Sequence, residues 1–165
     1  MRTHTMIDSP IGVLTLVATD GTLSGIYLEN HLHMPHPSTF GAKNTSGFEE
    51  ATEQLTEYLT GRRQTFTLPT HLAGSPFQRR IWHTLTTIAY GHTLTYAHLA
   101  ETIGRPEAIR AVGTANGKNP IAIVVPCHRV VGSDGALTGF SGGLARKRFL
   151  LDLEHPAAPR QGQLF

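Results

Sequence analysis

The sequence predicts two small domains. The first is an α/β N-terminal domain with a small antiparallel sheet plus a helix. The second is a mostly α C-terminal domain with a winged-helix-like helix-turn-helix. Three observations carry this. Two strand-like apolar runs flank an Asp20-Gly21 turn and precede one amphipathic helix pattern. From Ser75 onward helical patterns dominate, parted by Gly and Pro breaks. Charge divides at the same place: residues 1–75 carry 4 Lys/Arg and 7 Asp/Glu, whereas residues 76–165 carry 10 and 5. A basic half is a weak electrostatic footprint of a nucleic-acid partner, and ordinary charge scatter accounts for it equally well.

The elements follow in order. Val13-Leu14-Thr15-Leu16-Val17 and Leu23 to Leu28 read as a hairpin. Residues 30–47, rich in His, Pro, Gly and Ser, read as a loop. Ser46 and Glu49 have capping-box spacing for a helix carrying Phe48, Ala51, Leu55, Tyr58 and Leu59, with Gly61 as its stop. Thr65-Phe66-Thr67-Leu68 suits a last short strand, and Pro69 to Gly74 a linker. Ser75-Pro76 with Gln78 opens the next helix, whose apolar face is Phe77, Ile81, Trp82, Leu85 and Ile88. Thr95 caps a short helix, Gly104 turns the chain, and Pro106 opens a helix from Glu107 to about Asn116. Ile121 to Val125 fits a buried strand ended by Pro126. Asp134-Gly135 is a turn, residues 139–143 a Gly-rich loop, and Leu144 to about Glu154 a basic helix. The expected boundaries are 1–74 and 75–155, with a poorly ordered tail over 156–165.

Composition excludes several classes. The chain has 165 residues, 39% of them apolar, and no run near the ~20 apolar residues of a membrane span. Met1 to Thr5 has no apolar signal core. Cys127 is the one cysteine, so neither an intrachain disulfide nor a Cys-cluster zinc site can form. A free thiol without a signal points to a cytoplasmic protein.

Cys127 stands between Pro126 and the pair His128-Arg129. A thiol attacks as thiolate, and a neighbouring base or cation promotes that form. Neighbours in sequence need not meet in space, and a buried structural cysteine is the plainer reading of Cys-His alone. Glu154 can orient a histidine, or can be a solvated helix-end charge. The helix after Gly104 is thin, with Ala108, Ala111, Gly113 and Ala115. A thin helix admits close approach of another helix or entry into a narrow groove. His31, His33 and His36 beside Met34 read as a solvated loop rather than a metal site.

Pro126-Cys127-His128-Arg129-Val130 resembles the active-site signature of the 6-O-methylguanine-DNA methyltransferases. The resemblance spans the second domain, through Thr95-Tyr96, Arg110-Ala111-Val112-Gly113, Asn119-Pro120, Ser141-Gly142-Gly143-Leu144 and Glu154. The first domain resembles the family only in length and layout. The implied function is repair of 6-O-alkylguanine in double-stranded DNA by irreversible, single-turnover transfer of the alkyl group to the protein's own cysteine, with nucleotide flipping. Cys127 would be the acceptor, His128 its base through a water, and Glu154 the group orienting His128. Tyr96 would protonate the leaving guanine. Asn119 would brace the site, the carbonyls of Cys127 and Val130 would accept from the guanine amino group, and the Ser141 N–H would meet the alkylated oxygen. Arg110 would fill the gap left by the flipped nucleotide, on a helix whose Ala111 and Gly113 meet DNA. Ser133 would touch the DNA backbone. No cofactor or metal is implied, and the expectation is a monomer in solution, with cooperativity on DNA left open.

Two positions depart from the family pattern. Phe140 stands where Tyr is common in the pocket wall, and Ile109 where a small Ala is usual beside the finger. Three rivals remain: a Cys-His hydrolase, an alkyltransferase-like lesion binder, and a plain winged-helix module. The first needs no helix-turn-helix, the second replaces the acceptor Cys, and the third has no use for the Pro126 to Arg129 motif.

Overall fold

The computed structural model describes residues 1–155, and the expected tail over 156–165 lies outside the described residues. The N-terminal sheet has four strands: β1 (Arg2–Ile7), β2 (Leu14–Thr19), β3 (Thr22–Leu28) and β4 (Ala42–Lys43), in the order β3-β2-β1-β4. The first three are antiparallel, with β1 registered from Arg2↔Thr19 to Ile7↔Leu14. β4 pairs parallel to β1, so the sheet is mixed. The hairpin forms at Asp20 (φ 50°) and Gly21 (φ 83°), the two left-handed residues that match strand twist. The expected loop over 30–47 contains β4 and a 3-10 turn, Pro37–Phe40.

Helix α1 (Glu49–Leu59) begins at an N-cap of Phe48. Ser46 is therefore not the cap; Glu49 instead accepts from the Gly47 N–H at 2.9 Å. The C-terminus closes as expected. Gly61 N–H reaches the Tyr58 carbonyl at 3.1 Å and Arg62 N–H the Glu57 carbonyl at 2.7 Å. Residues 65–68 form no strand, because their polar groups bond to the helix beneath. The Thr67 N–H donates to Gln54 Oε1 at 2.9 Å, and the chain meets the sheet after this segment, at the bridge Leu23↔Thr70.

The C-terminal domain contains α2 (Pro76–Leu85), β5 (Leu94–Thr95), α3 (Tyr96–Thr102), α4 (Ile109–Gly117), β6 (Val130–Val131) and α5 (Leu144–Glu154). α2 has the expected capping box, Ser75 with Gln78, and Thr95 caps α3. α4 starts two residues later than expected, since Pro106 and Glu107 sit in a turn closed by Ala108 N–H to the Arg105 carbonyl at 2.8 Å. β5 and β6 form a short parallel pair. α2 and α3 both pack on α4, and Trp82 Nε1 donates to the Ala115 carbonyl at 2.8 Å. One apolar core runs through both domains, joining Leu16, Ile26 and Leu55 to Trp82, Leu99 and Leu150.

Candidate active site

The expected strand at Ile121 to Val125 is a buried turn. Among the described residues a single bridge, Ile26↔Ile121, joins it to a strand. Asn119 takes the place of a partner strand. Its Oδ1 accepts from Ile121 N–H at 3.0 Å and its Nδ2 donates to the Val125 carbonyl at 2.7 Å. Within this loop Ile123 takes φ 75°, a costly conformation for a β-branched residue, held by the brace. The loop delivers Cys127, His128 and Arg129 as one 3-10 turn, all buried. On a turn, unlike a strand, adjacent side chains are free to serve one site.

Burial raises the Cys127 thiol above its ordinary pKa, and Asn119 and the Lys147 charge only partly oppose this. The resting thiol is therefore protonated and needs a base. Burial also lowers His128, against the pull of Glu154, so the imidazole is neutral at rest. His128 Nε2 lies 2.9 Å from Glu154 Oε2, while Nδ1 is buried with no hydrogen-bond partner in the protein. A carboxylate partner places the ring proton on Nε2 and leaves the Nδ1 lone pair free. Glu154 accepts further bonds from Arg129 Nε and Nη2, each at 2.8 Å, and a short one from the Tyr58 hydroxyl. Burial alone would push its carboxyl up, but the bonds from His128, Arg129 and Tyr58 hold it at about 2. Arg129 is fixed by a third bond, to the Ile88 carbonyl at 2.6 Å, and sits over the Tyr90 ring.

Lys147 closes the other side. Its Nζ donates to the Val130 carbonyl at 2.6 Å and the Thr138 carbonyl at 2.7 Å, and lies 5.9 Å from the Tyr96 ring centre. Burial lowers its pKa to about 8. The Val130 carbonyl is thus engaged by the Lys147 ammonium. The Tyr96 hydroxyl donates to the Thr138 carbonyl at 2.9 Å. Asn116 Nδ2 reaches the Cys127 carbonyl at 3.4 Å. Phe140 and Ser141 are buried; Ser141 Oγ bonds the Gly117 carbonyl, and its own carbonyl accepts from Leu32 N–H at 2.9 Å.

The other expected residues form a separate, outer group. Arg110 and Ala111 are exposed near the start of α4, beside Ile109 at 44% exposure. Ser133 is exposed after β6. Gly113 is half-buried, and a Cβ there would meet the Tyr96 ring at 3.8 Å, so α4 lies close against Tyr96 at this point. Cys127, His128 and Glu154 are brought together inside; Arg110, Ala111 and Ser133 stand outside.

Sequence reasoning missed Tyr58, Asn116 and Lys147, and noted Arg129 only as a neighbouring cation. One signal was present: Lys147, Leu150 and Glu154 share a face of α5, and all three are buried. For Tyr58 the helical stripe pointed to core and said nothing of its hydroxyl. His31 is buried, accepts from Leu28 N–H at 3.2 Å, and is lowered by burial to about 4. Among the described residues no group of three His, Cys, Asp or Glu is placed to hold a metal.

The chain matches two family models: the 6-O-methylguanine DNA methyltransferase DNA binding domain over residues 76–156, and the ribonuclease-like domain of the same family over residues 3–72. It is 48% identical over 165 residues to a methylated-DNA–protein-cysteine methyltransferase of Mycolicibacterium paratuberculosis, covering 100% of this chain and 99% of that one. A protein of the same description from Mycobacterium bovis is 46% identical over 159 residues, 96% of each chain. The fold superposes on the crystal structure of Mycobacterium tuberculosis OGT in complex with DNA with a TM-score of 0.87, at 43% identity over 93% of each chain.

Proposed function

The chain belongs to the 6-O-methylguanine DNA methyltransferase family, and from that premise we propose that Cys127 takes the alkyl group, with His128, Glu154 and Tyr96 carrying the proton transfers. The reaction is repair of DNA by alkyl transfer to the protein's own cysteine, and Cys127 is the sole cysteine of the 165 residues. The single observation that carries the assignment is the buried His128–Glu154 pair, with His128 on the same turn as buried Cys127 and its Nδ1 left free.

The steps follow from the groups present. His128 Nδ1 takes the Cys127 proton through an intervening water, and Glu154 stabilises the imidazolium that forms. The thiolate attacks the alkyl carbon of 6-O-alkylguanine in line, the S–C bond forms, and the C–O bond breaks with its electron pair leaving on the guanine. The Tyr96 hydroxyl supplies a proton to the leaving base. A thioether has no good leaving group, so each molecule acts once.

The target oxygen lies inside the duplex stack, and extruding the nucleotide costs a few kcal/mol. Arg110, exposed on α4, offsets this by filling the gap with a planar cationic head. Ala111 and Ser133 meet the DNA, and Asn119, Val130, Phe140 and Ser141 shape the base pocket. This reading draws the domain boundary after residue 74, where the Ser75 cap begins α2. It takes the protein as a monomer working in the cytoplasm, where its thiol stays reduced; among the described residues no helix is long and apolar enough to cross a membrane.

The test is intact mass after mixing with duplex DNA containing 6-O-methylguanine. One methyl should appear on the peptide holding Cys127, at one equivalent, and Cys127→Ser should bind DNA and transfer nothing. Turnover, or methyl on another residue, would sink the assignment.

A further inference from the structure

We infer that Tyr58, carried by helix α1 of the N-terminal domain, is a positioning residue of the alkyl-transfer site, fixing Glu154 and the tautomer of His128. The inference rests on the reading of Cys127 as acceptor and extends the active site into a domain whose motifs carry no chemistry.

Tyr58 lies on the buried stripe of α1 with Ala51, Leu55 and Leu59. Packing explains its ring, not its hydroxyl. A buried phenol needs a polar partner, and any nearby carbonyl would serve. Instead the hydroxyl donates to Glu154 Oε2, across 96 residues of sequence, and lies 3.4 Å from His128 Nε2.

The proton positions follow. Ionised Glu154 only accepts, so the phenol proton lies on the Glu154 side and the Tyr58 oxygen turns a lone pair toward Nε2. His128 Nε2 then faces two acceptors, the carboxylate and the phenol oxygen. The ring proton belongs on Nε2, and Nδ1 keeps the lone pair that receives the thiol proton. The Tyr58 donor is permanent, since burial and the Glu154 charge raise its pKa far above any working pH.

Tyr58 also sets how strongly Glu154 attracts a charge on His128. The other groups around the pair are Arg129, which bonds both Glu154 oxygens, Tyr90 beside Glu154 and Arg129, and Lys147, whose charge disfavours the imidazolium. Tyr58 occupies part of Oε2. Without it Glu154 binds His128 more tightly, and the resting imidazole protonates at higher pH, where it can no longer act as a base.

The experiment is single-turnover transfer from duplex DNA, measured against pH for wild type, Tyr58→Phe, Glu154→Gln and the double variant. Tyr58→Phe should still methylate Cys127 to one equivalent with unchanged DNA affinity. Its acidic limb should rise by about one pH unit, so that its rate falls up to about threefold near neutral pH and about tenfold on the limb itself. The double variant should be no slower than Glu154→Gln alone, because Tyr58 acts through Glu154. A wild-type rate and limb in Tyr58→Phe, or losses that multiply in the double variant, would overturn the inference and leave Tyr58 a packing residue. A second variant, 3-fluorotyrosine at position 58, keeps the shape and strengthens the donor. It should move the limb down, and a limb that stays or rises would also overturn the inference. Failure of the wild type to methylate Cys127 at all would instead reject the underlying functional reading.

Discussion

Glu154→Gln replaces one oxygen of a fully buried carboxylate by an NH2 group, with Tyr58, His128 and two Arg129 nitrogens all donating toward it. The amide has one acceptor oxygen, so its NH2 must face a donor, and Arg129 keeps a buried charge without its counterion. Two routes give the cost. The carboxyl is held at about 2 against an ordinary 4.5, which corresponds to about 3 kcal/mol of native stability. Breaking one side of a buried ion pair costs about 3–5 kcal/mol. The folded pKa is depressed, so this stabilisation is complete above the unfolded value and is lost as pH falls from about 4.5 toward 2. Urea unfolding at pH 7 should therefore find Glu154→Gln less stable by about 3 kcal/mol, and between pH 5 and pH 3 the wild type should lose roughly 2 kcal/mol that the variant does not. Alkyl transfer should fall by about three powers of ten, as for loss of a member of a catalytic relay. A variant within about 1 kcal/mol of wild type at pH 7 would refute the energetic argument. An unchanged transfer rate at constant DNA affinity would refute the relay, leaving Glu154 as a tether for α5.

Two further outcomes are expected. Arg110→Ala should slow transfer from duplex DNA far more than transfer from a free alkylated guanine base, while Arg110→Lys recovers part of the loss; equal losses on both substrates would mean that Arg110 supports the pocket and is not a finger. Phosphate contacts spread over several cations should keep its non-specific binding nearly intact. Asn119→Ala strands the Ile121 N–H and takes from the Val125 carbonyl one of its two donors, leaving it the Cys127 N–H, which should cost about 1–3 kcal/mol in chemical denaturation; a loss below about 0.5 kcal/mol would show that the Ile123 turn holds without its brace.

Local chemistry was enough to make the second half of the chain legible. Ser75, Thr95 and Gly104 cap or turn helices through bonds to residues three or four positions away, so their effect is written in the sequence beside them. The Cys127-His128 pair, Asn119 and Glu154 stand in the order and spacing that the resemblance needs. Elements decided by distant partners were not legible. Ile121 to Val125 has the composition of a strand, yet Asn119 satisfies its backbone, so it folds as a turn. Residues 65–68 look like a strand, but Gln54 of α1 takes the Thr67 N–H. β1, which opens the sheet, shows only a weak alternation in sequence and is fixed by pairing with β2. The same division runs through the site. Sequence supplies Cys127 and the residues beside it. Tertiary structure decides that Tyr58 and Lys147 belong there too, because a buried hydroxyl or ammonium declares its role only through the partner it must find out of water.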